Sequence, residues 1–175
     1  MAHDASPARS RQCGGCTMCC KLLGIAEIEK PVNAWCPHCA RGQGCRIYAE
    51  RPDGCRAFAC GWLLDPSMPE EWRPDRSKLV VMPDEDPEQV LVLVDPGTPD
   101  AWRREPYQSS LRRRAVQALR AGGNLIVVVN GKATLLFANG EQFLGAVESG
   151  DKVVVSQTAE SGGVRLDVKI IRPIR

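Results

Sequence analysis

Polar and apolar positions divide the chain into two unlike parts. From residue 77 onward short aliphatic runs alternate with turn residues, while the first 64 residues hold few large apolar side chains. The runs 79–82 (Leu-Val-Val-Met) and 89–94 (Gln-Val-Leu-Val-Leu-Val) predict two strands joined through Pro-Asp-Glu-Asp-Pro, a hairpin connection. Residues 107–121 predict a helix, since Leu111, Ala115, Ala118 and Leu119 recur at i, i+4, i+7 and i+8 before Gly122-Gly123 ends it. Residues 125–129 and 133–137 flank Asn130-Gly131, a strong two-residue hairpin signal. Residues 153–157 and 164–171 predict two more strands across Ser161-Gly162-Gly163, and no internal repeat occurs.

The N-terminal part follows another pattern. Residues 1–12 are polar and aperiodic and read as a disordered leader. Between residues 30 and 60 the large aliphatics reduce to Val32 and Ile47, while glycines recur where tight turns would need them. Short helices are expected at 17–23 and at 53–64, with Pro52 near the start of the second. Residues 65–76 carry three prolines and read as an extended or turning connector. A module so poor in aliphatics needs a staple. The expected fold is α+β: an irregular, helical, metal-stapled module (13–64) packed on a strand-rich part (77–175) with one helix.

Composition narrows the function classes. Hydrophobic residues at 43% and charged residues at 25% suit a soluble globular chain. No apolar run approaches the roughly 18 residues that span a bilayer. The N-terminus lacks the apolar core of a secretory signal, so a cytoplasmic protein without a membrane partner is expected. A formal net charge of +2 does not by itself imply a nucleic-acid partner. Arg112, Arg113, Arg114 and Arg120 form a local basic group, read as a solvated helix face.

The nine cysteines all fall between positions 13 and 60. In a reducing compartment, clustered thiols bind metal or do redox chemistry rather than form a disulfide framework. Cys13-x-x-Cys16-x-x-Cys19 offers three thiols at two-residue spacing, the run that also opens bacterial ferredoxin motifs, but Cys20 follows at once. Adjacent side chains diverge, so Cys19 and Cys20 are expected to point to different places. Cys36-Pro-His38-Cys39, then Cys45, then Cys55 and Cys60 complete the candidate ligands, with His38 as a ligand, a nearby donor or a loop residue. Arg51 and Arg56 are candidate donors to thiolates or sulfides, or partners of Asp53 and Glu50. Tyr48, Phe58, Trp35 and Trp62 are expected to shield the site from water. Asp65, Glu70, Glu71 and Asp75 read as a solvated connector.

These residues carry a resemblance. Cys13-x-x-Cys16-x-x-Cys19-Cys20, followed by Cys45-Arg-Ile-Tyr48-x-x-Arg51-Pro52-x-x-Cys55-Arg56-x-Phe58-x-Cys60, looks like the CxxCxxCC cysteine-cluster family, described as a zinc- or iron-chelating domain. The resemblance covers residues 13 to about 64 and implies metal binding. Flagellin lysine N-methylases share a similar cysteine pattern, and a 4Fe-4S cluster is associated with that branch. This chain departs from it in length and in its strand-rich C-terminal half. A metal-binding protein is therefore expected, holding an iron–sulfur cluster (4Fe-4S slightly preferred) or zinc. The alternatives are an iron–sulfur enzyme or redox partner, with methyl transfer only by family analogy, and a zinc module contacting nucleic acid.

Overall fold

Short turns and one small apolar face shape the N-terminal module. The computed structural model describes residues 11–83, 89–148, 151–160 and 163–172. Helix α1 (Met18–Leu22) buries Met18 and Leu22, one turn apart, toward the rest of the molecule. Strands β1 (Cys39–Ala40) and β2 (Gly44–Cys45) form a two-stranded ribbon that sets Cys39 opposite Cys45. Its turn lies against the first cysteine loop so closely that a Cβ on Gly15 would stand 2.4 Å from the Gly42 carbonyl oxygen. Only glycine fits there.

The helix expected over 53–64 is two helices, α2 (Asp53–Ala57) and α3 (Gly61–Leu64). Phe58 (φ −72°, ψ 130°) and Cys60 (φ −69°, ψ 160°) are extended between them. The break lets Ala59 and Cys60 become buried and seats Gly61 on the sheet, where its Cβ position is 3.0 Å from Val81 Cγ1. A continuous helix would set residues five apart about 140° from each other around its axis. Cys55 and Cys60 would then face different ways.

Residues 65–76, expected as a connector, include a turn of 3-10 helix at 70–72 and enter α4 (Pro74–Ser77). Met68 and Trp72 are buried in the main core, with Tyr107 edge-on to Trp72 at 5.1 Å. Arg11, placed in the leader by its sequence, donates to the carbonyls of Trp62, Asp65, Pro66 and Met68 at 2.6–3.0 Å. The rest of that leader, residues 1–10, lies outside the described residues.

The strand-rich part is built on a five-stranded sheet of β3 (Leu79–Val81), β4 (Gln89–Val94), β5 (Asn124–Val129), β6 (Lys132–Leu136) and β7 (Glu141–Ala146), in that spatial order. Neighbours are antiparallel except β4 and β5, which are parallel and joined through helix α5 (Tyr107–Arg120). Both faces are covered, which explains the nearly unbroken apolar run of β5. Leu125 and Val127 pack into the core that contains Leu111 and Ala115 of α5. Ile126 belongs to a second core with Ala133 and Leu135, covered by Val153, Val155, Val168 and Ile170. Those four come from the antiparallel pair β8 (Lys152–Glu160) and β9 (Gly163–Ile171). Most of the Pro83–Pro87 connection, and Ser161-Gly162 of the last turn, lie outside the described residues.

The cysteine module shares the main core with this sheet: Met18, Leu22, Trp62 and Leu63 pack in one cluster with Leu79, Val80 and Val92. An ion pair between Lys21 of α1 and Asp95, just past β4, joins the two parts as well. The architecture is α+β, as the sequence predicts. No described helix is long and apolar enough to cross a membrane.

A cysteine-lined cavity as the candidate functional site

Each cysteine reaches its place through short-range backbone bonds. The Cys16 amide bonds to the Cys13 carbonyl at 2.9 Å, closing the first loop. Cys19 and Cys20 ride on α1, and the Cys36 amide docks the second segment on the Cys20 carbonyl at 3.0 Å. The Cys39 amide then turns back to the Cys36 carbonyl at 3.0 Å. Cys55 lies on α2, and Cys60 stands at the N-cap of α3.

Eight of the nine line one cavity of about 620 Å³: Cys13, Cys16, Cys19, Cys20, Cys36, Cys45, Cys55 and Cys60. Cys39 is buried outside that lining. All nine are free thiols. Among the described residues no Asp or Glu lines the cavity; besides the cysteines, Arg11, Arg51, His38 and Tyr48 are its ionisable side chains. The remaining wall is largely apolar, including Leu23, Ile25, Ile28, Ile47, Phe58 and Trp62.

Two neighbourhoods can be told apart. At one end Cys60 feels Cys13, and Cys16 feels both Cys60 and the Asp75 carboxylate. Burial raises the pKa of Cys16 and Cys60, and backbone N–H groups offset part of that rise, from Met18 and Asp75 at Cys16 and from Leu63 and Trp62 at Cys60. At the other end Cys20, Cys36, Cys45 and Cys55 influence one another, and burial is the main cause that raises Cys55. Here the doublet departs from expectation. Cys19 and then burial act to raise the Cys20 thiol, and Cys20 and Thr17 both act on Cys39. Cys19 and Cys20 both line the cavity. The bond to Cys19, followed by burial, pushes the Cys20 thiol well above its ordinary range. Burial and then Cys20 push Cys39 up to about 11.

Lys30, which nothing in the local sequence singles out, is buried at 5% exposure. Burial lowers its pKa, while Cys36, Cys20, Cys19 and Cys55 raise it. Arg51 lines the cavity and stacks its guanidinium 4.0 Å over the Tyr48 ring. Arg56 stands outside the lining and donates to the carbonyls of Arg51 and Ala49, both at 2.8 Å, with Asp53 at 3.8 Å. Phe58 and Trp62 wall the cavity as expected of shielding aromatics. Tyr48 is 57% exposed and does not seal it, and Trp35 lies outside it, stacked under Arg41 at 4.6 Å. Asp75, read as connector, pairs with Arg73 at 3.1 Å beside Cys16.

Among the described residues, no three His, Cys, Asp or Glu side chains converge as they would around a single ion. A tetrahedral zinc with sulfur at about 2.3 Å holds its thiolates about 3.8 Å apart. No protein family, curated protein or solved structure matches the chain.

Proposed function

We propose that this chain is a metal-binding protein whose cysteine-lined cavity holds an iron–sulfur cluster. The observation that carries the reading is eight cysteines lining one cavity while, among the described residues, no three converge around a single point. A cluster takes each thiolate on a different iron, so its ligands stand farther apart than those of one ion. The donor set fits in kind: sulfur without carboxylate is the soft environment that selects thiolate-bound metals. Buried thiols with raised pKa values fit too, since the ligands must lose protons and a bound cation makes that favourable. The resemblance to the CxxCxxCC family points the same way. We assign the eight cavity cysteines as the candidate ligands, and Arg51 as a cation at the wall.

A cluster so held supplies one-electron chemistry, which makes an electron- or group-transfer role in the cytoplasm the natural extension. Nucleic-acid contact gains nothing from α5, where Arg112 donates to the carbonyls of Phe137 and Gly140 at 3.2 and 3.1 Å.

Metal and sulfide analysis of protein purified without oxygen tests the reading. Brown protein with iron, acid-labile sulfide and visible charge-transfer absorption is the expected result. Colourless protein with stoichiometric zinc would replace the cluster by zinc, and metal-free protein would reject metal binding.

A further inference from the structure

Among the described residues, no carboxylate pairs with the buried ammonium of Lys30. Its ammonium donates to the carbonyls of Lys21 (3.2 Å), Leu23 and Pro31 (3.0 Å), so all three of its donors are used. Carbonyl oxygens satisfy those donors but carry no net charge. Among the described residues no carboxylate pairs with it, whereas Lys21 next to it in space has Asp95. The charges that act most on Lys30 are the thiols of Cys36, Cys20, Cys19 and Cys55, and the ammonium sits on the carbonyls of Lys21 and Leu23 at the end of the helix that carries Cys19 and Cys20. A buried cation is unfavourable unless something nearby is negative. Among the described residues, thiolates are the groups placed to supply that charge.

We propose that Lys30 is a positioning residue whose fixed charge balances the anionic thiolate group formed when the Cys19, Cys20, Cys36 and Cys55 end of the cavity takes up metal. The inference rests on the metal-binding reading above. Thiolates around divalent ions or iron–sulfide cores outnumber the positive charge they bind, so the loaded group is an anion. The ammonium lowers the energy of that anion, and the anion removes the isolation of the ammonium. Empty, with its thiols protonated, the same end keeps an uncompensated cation. Lys30 also ties the last carbonyls of α1 to the loop that follows, and that stapling must be separated from its charge.

Lys30→Gln keeps amide donors for the carbonyls and removes the charge; Lys30→Arg keeps both charge and donors. The measurement is metal retained against a chelator across pH, on the whole chain loaded anaerobically with iron and sulfide, or with zinc if that is what the wild type holds. Lys30→Gln is expected to retain metal about 10- to 100-fold less tightly, the usual penalty for losing a group that supports ligands. The pH at which half the metal is lost should rise. Lys30→Arg should stay near wild type in both. A folded Lys30→Gln with wild-type retention and an unchanged midpoint would overturn the proposal. Should Lys30→Gln fail to fold, a folded Lys30→Arg that loses metal overturns it equally, while one that keeps metal with the wild-type midpoint upholds it. Wild-type protein that takes up no metal fails the underlying reading instead, which keeps the two failures distinct.

Discussion

Cys39 is the cysteine that stands apart. Its sequence neighbour in the Cys36-Pro-His38-Cys39 spacer makes it look like a ligand, yet its thiol sits behind Cys20, fed by Thr17, while Cys20 reaches the cavity. Cys39 alone among the nine lies outside the cavity lining, and under the proposed function it is the cysteine left without metal. Cys39→Ser should therefore keep wild-type metal content, with stability changed by about 0.5–1.5 kcal/mol, the worth of one hydrogen bond. Cys20→Ser should lose metal under the same chelator challenge. Elemental analysis of both variants checks this, and equal losses would make Cys39 a ligand after all. The doublet shows what a spacing rule misses. Cys19 and Cys20 are neighbours on α1, yet both line the same cavity.

At the scale of elements, β7 is held by a side chain on a distant turn. Glu141 receives both terminal nitrogens of Arg103, at 2.6 and 2.8 Å, across 38 residues. That bond is the main reason the Glu141 carboxyl is held below its ordinary pKa. A carboxyl with a lowered folded pKa adds stability that is fully present above its unfolded pKa and lost as pH falls through the folded one. Glu141→Gln should thus destabilise the chain at neutral pH by at most about 1 kcal/mol, the scale of a half-exposed pair. In strong acid, below the folded pKa, variant and wild type should melt alike. Denaturant unfolding at both conditions decides it; a difference of the same size in acid would detach Glu141 from the effect. The same strand marks where sequence patterning loses its hold. Helix α5 and strands β4 to β6 were legible because their apolar residues keep one period and bury it. Residues 141–146 mix Glu, Gln and Gly145 (φ +87°) with an exposed Phe143, so an edge strand leaves no alternation to read. The break at residues 58–60 was hidden for a different reason: it answers to packing on β3, which local spacing does not encode. Cysteine clustering was legible at the site, whereas Lys30 was not, because nothing near it in sequence marks a lysine for burial.

Over the whole molecule, the module and the sheet are tied by a common core, and this alters what metal removal should do. The module's poverty in aliphatics predicts that chelation, or Cys→Ser at Cys16 or Cys55, unfolds residues 13–64 and spares the strand-rich part. However, α3 packs on β3, and Met18, Leu22, Trp62 and Leu63 bury against Leu79 and Val80. Losing the module uncovers that end of the sheet. The other end has separate support, since Ile126, Ala133 and Leu135 are covered by β8 and β9, with Asn124 Nδ2 bonded to the Val153 carbonyl at 3.1 Å. If bound metal is a folding ligand, its removal should produce a gradient rather than a clean division. Hydrogen exchange on the anaerobically loaded chain, with and without chelator, should rise most over residues 13–64. It should rise next over 65–81, and least in β5 and β6, the strands whose opening requires the most global unfolding. Protection lost equally from β5 and β6 would mean one cooperative unit. Protection kept throughout residues 13–64 would mean that apolar packing alone holds the module, and that metal has no part in its folding.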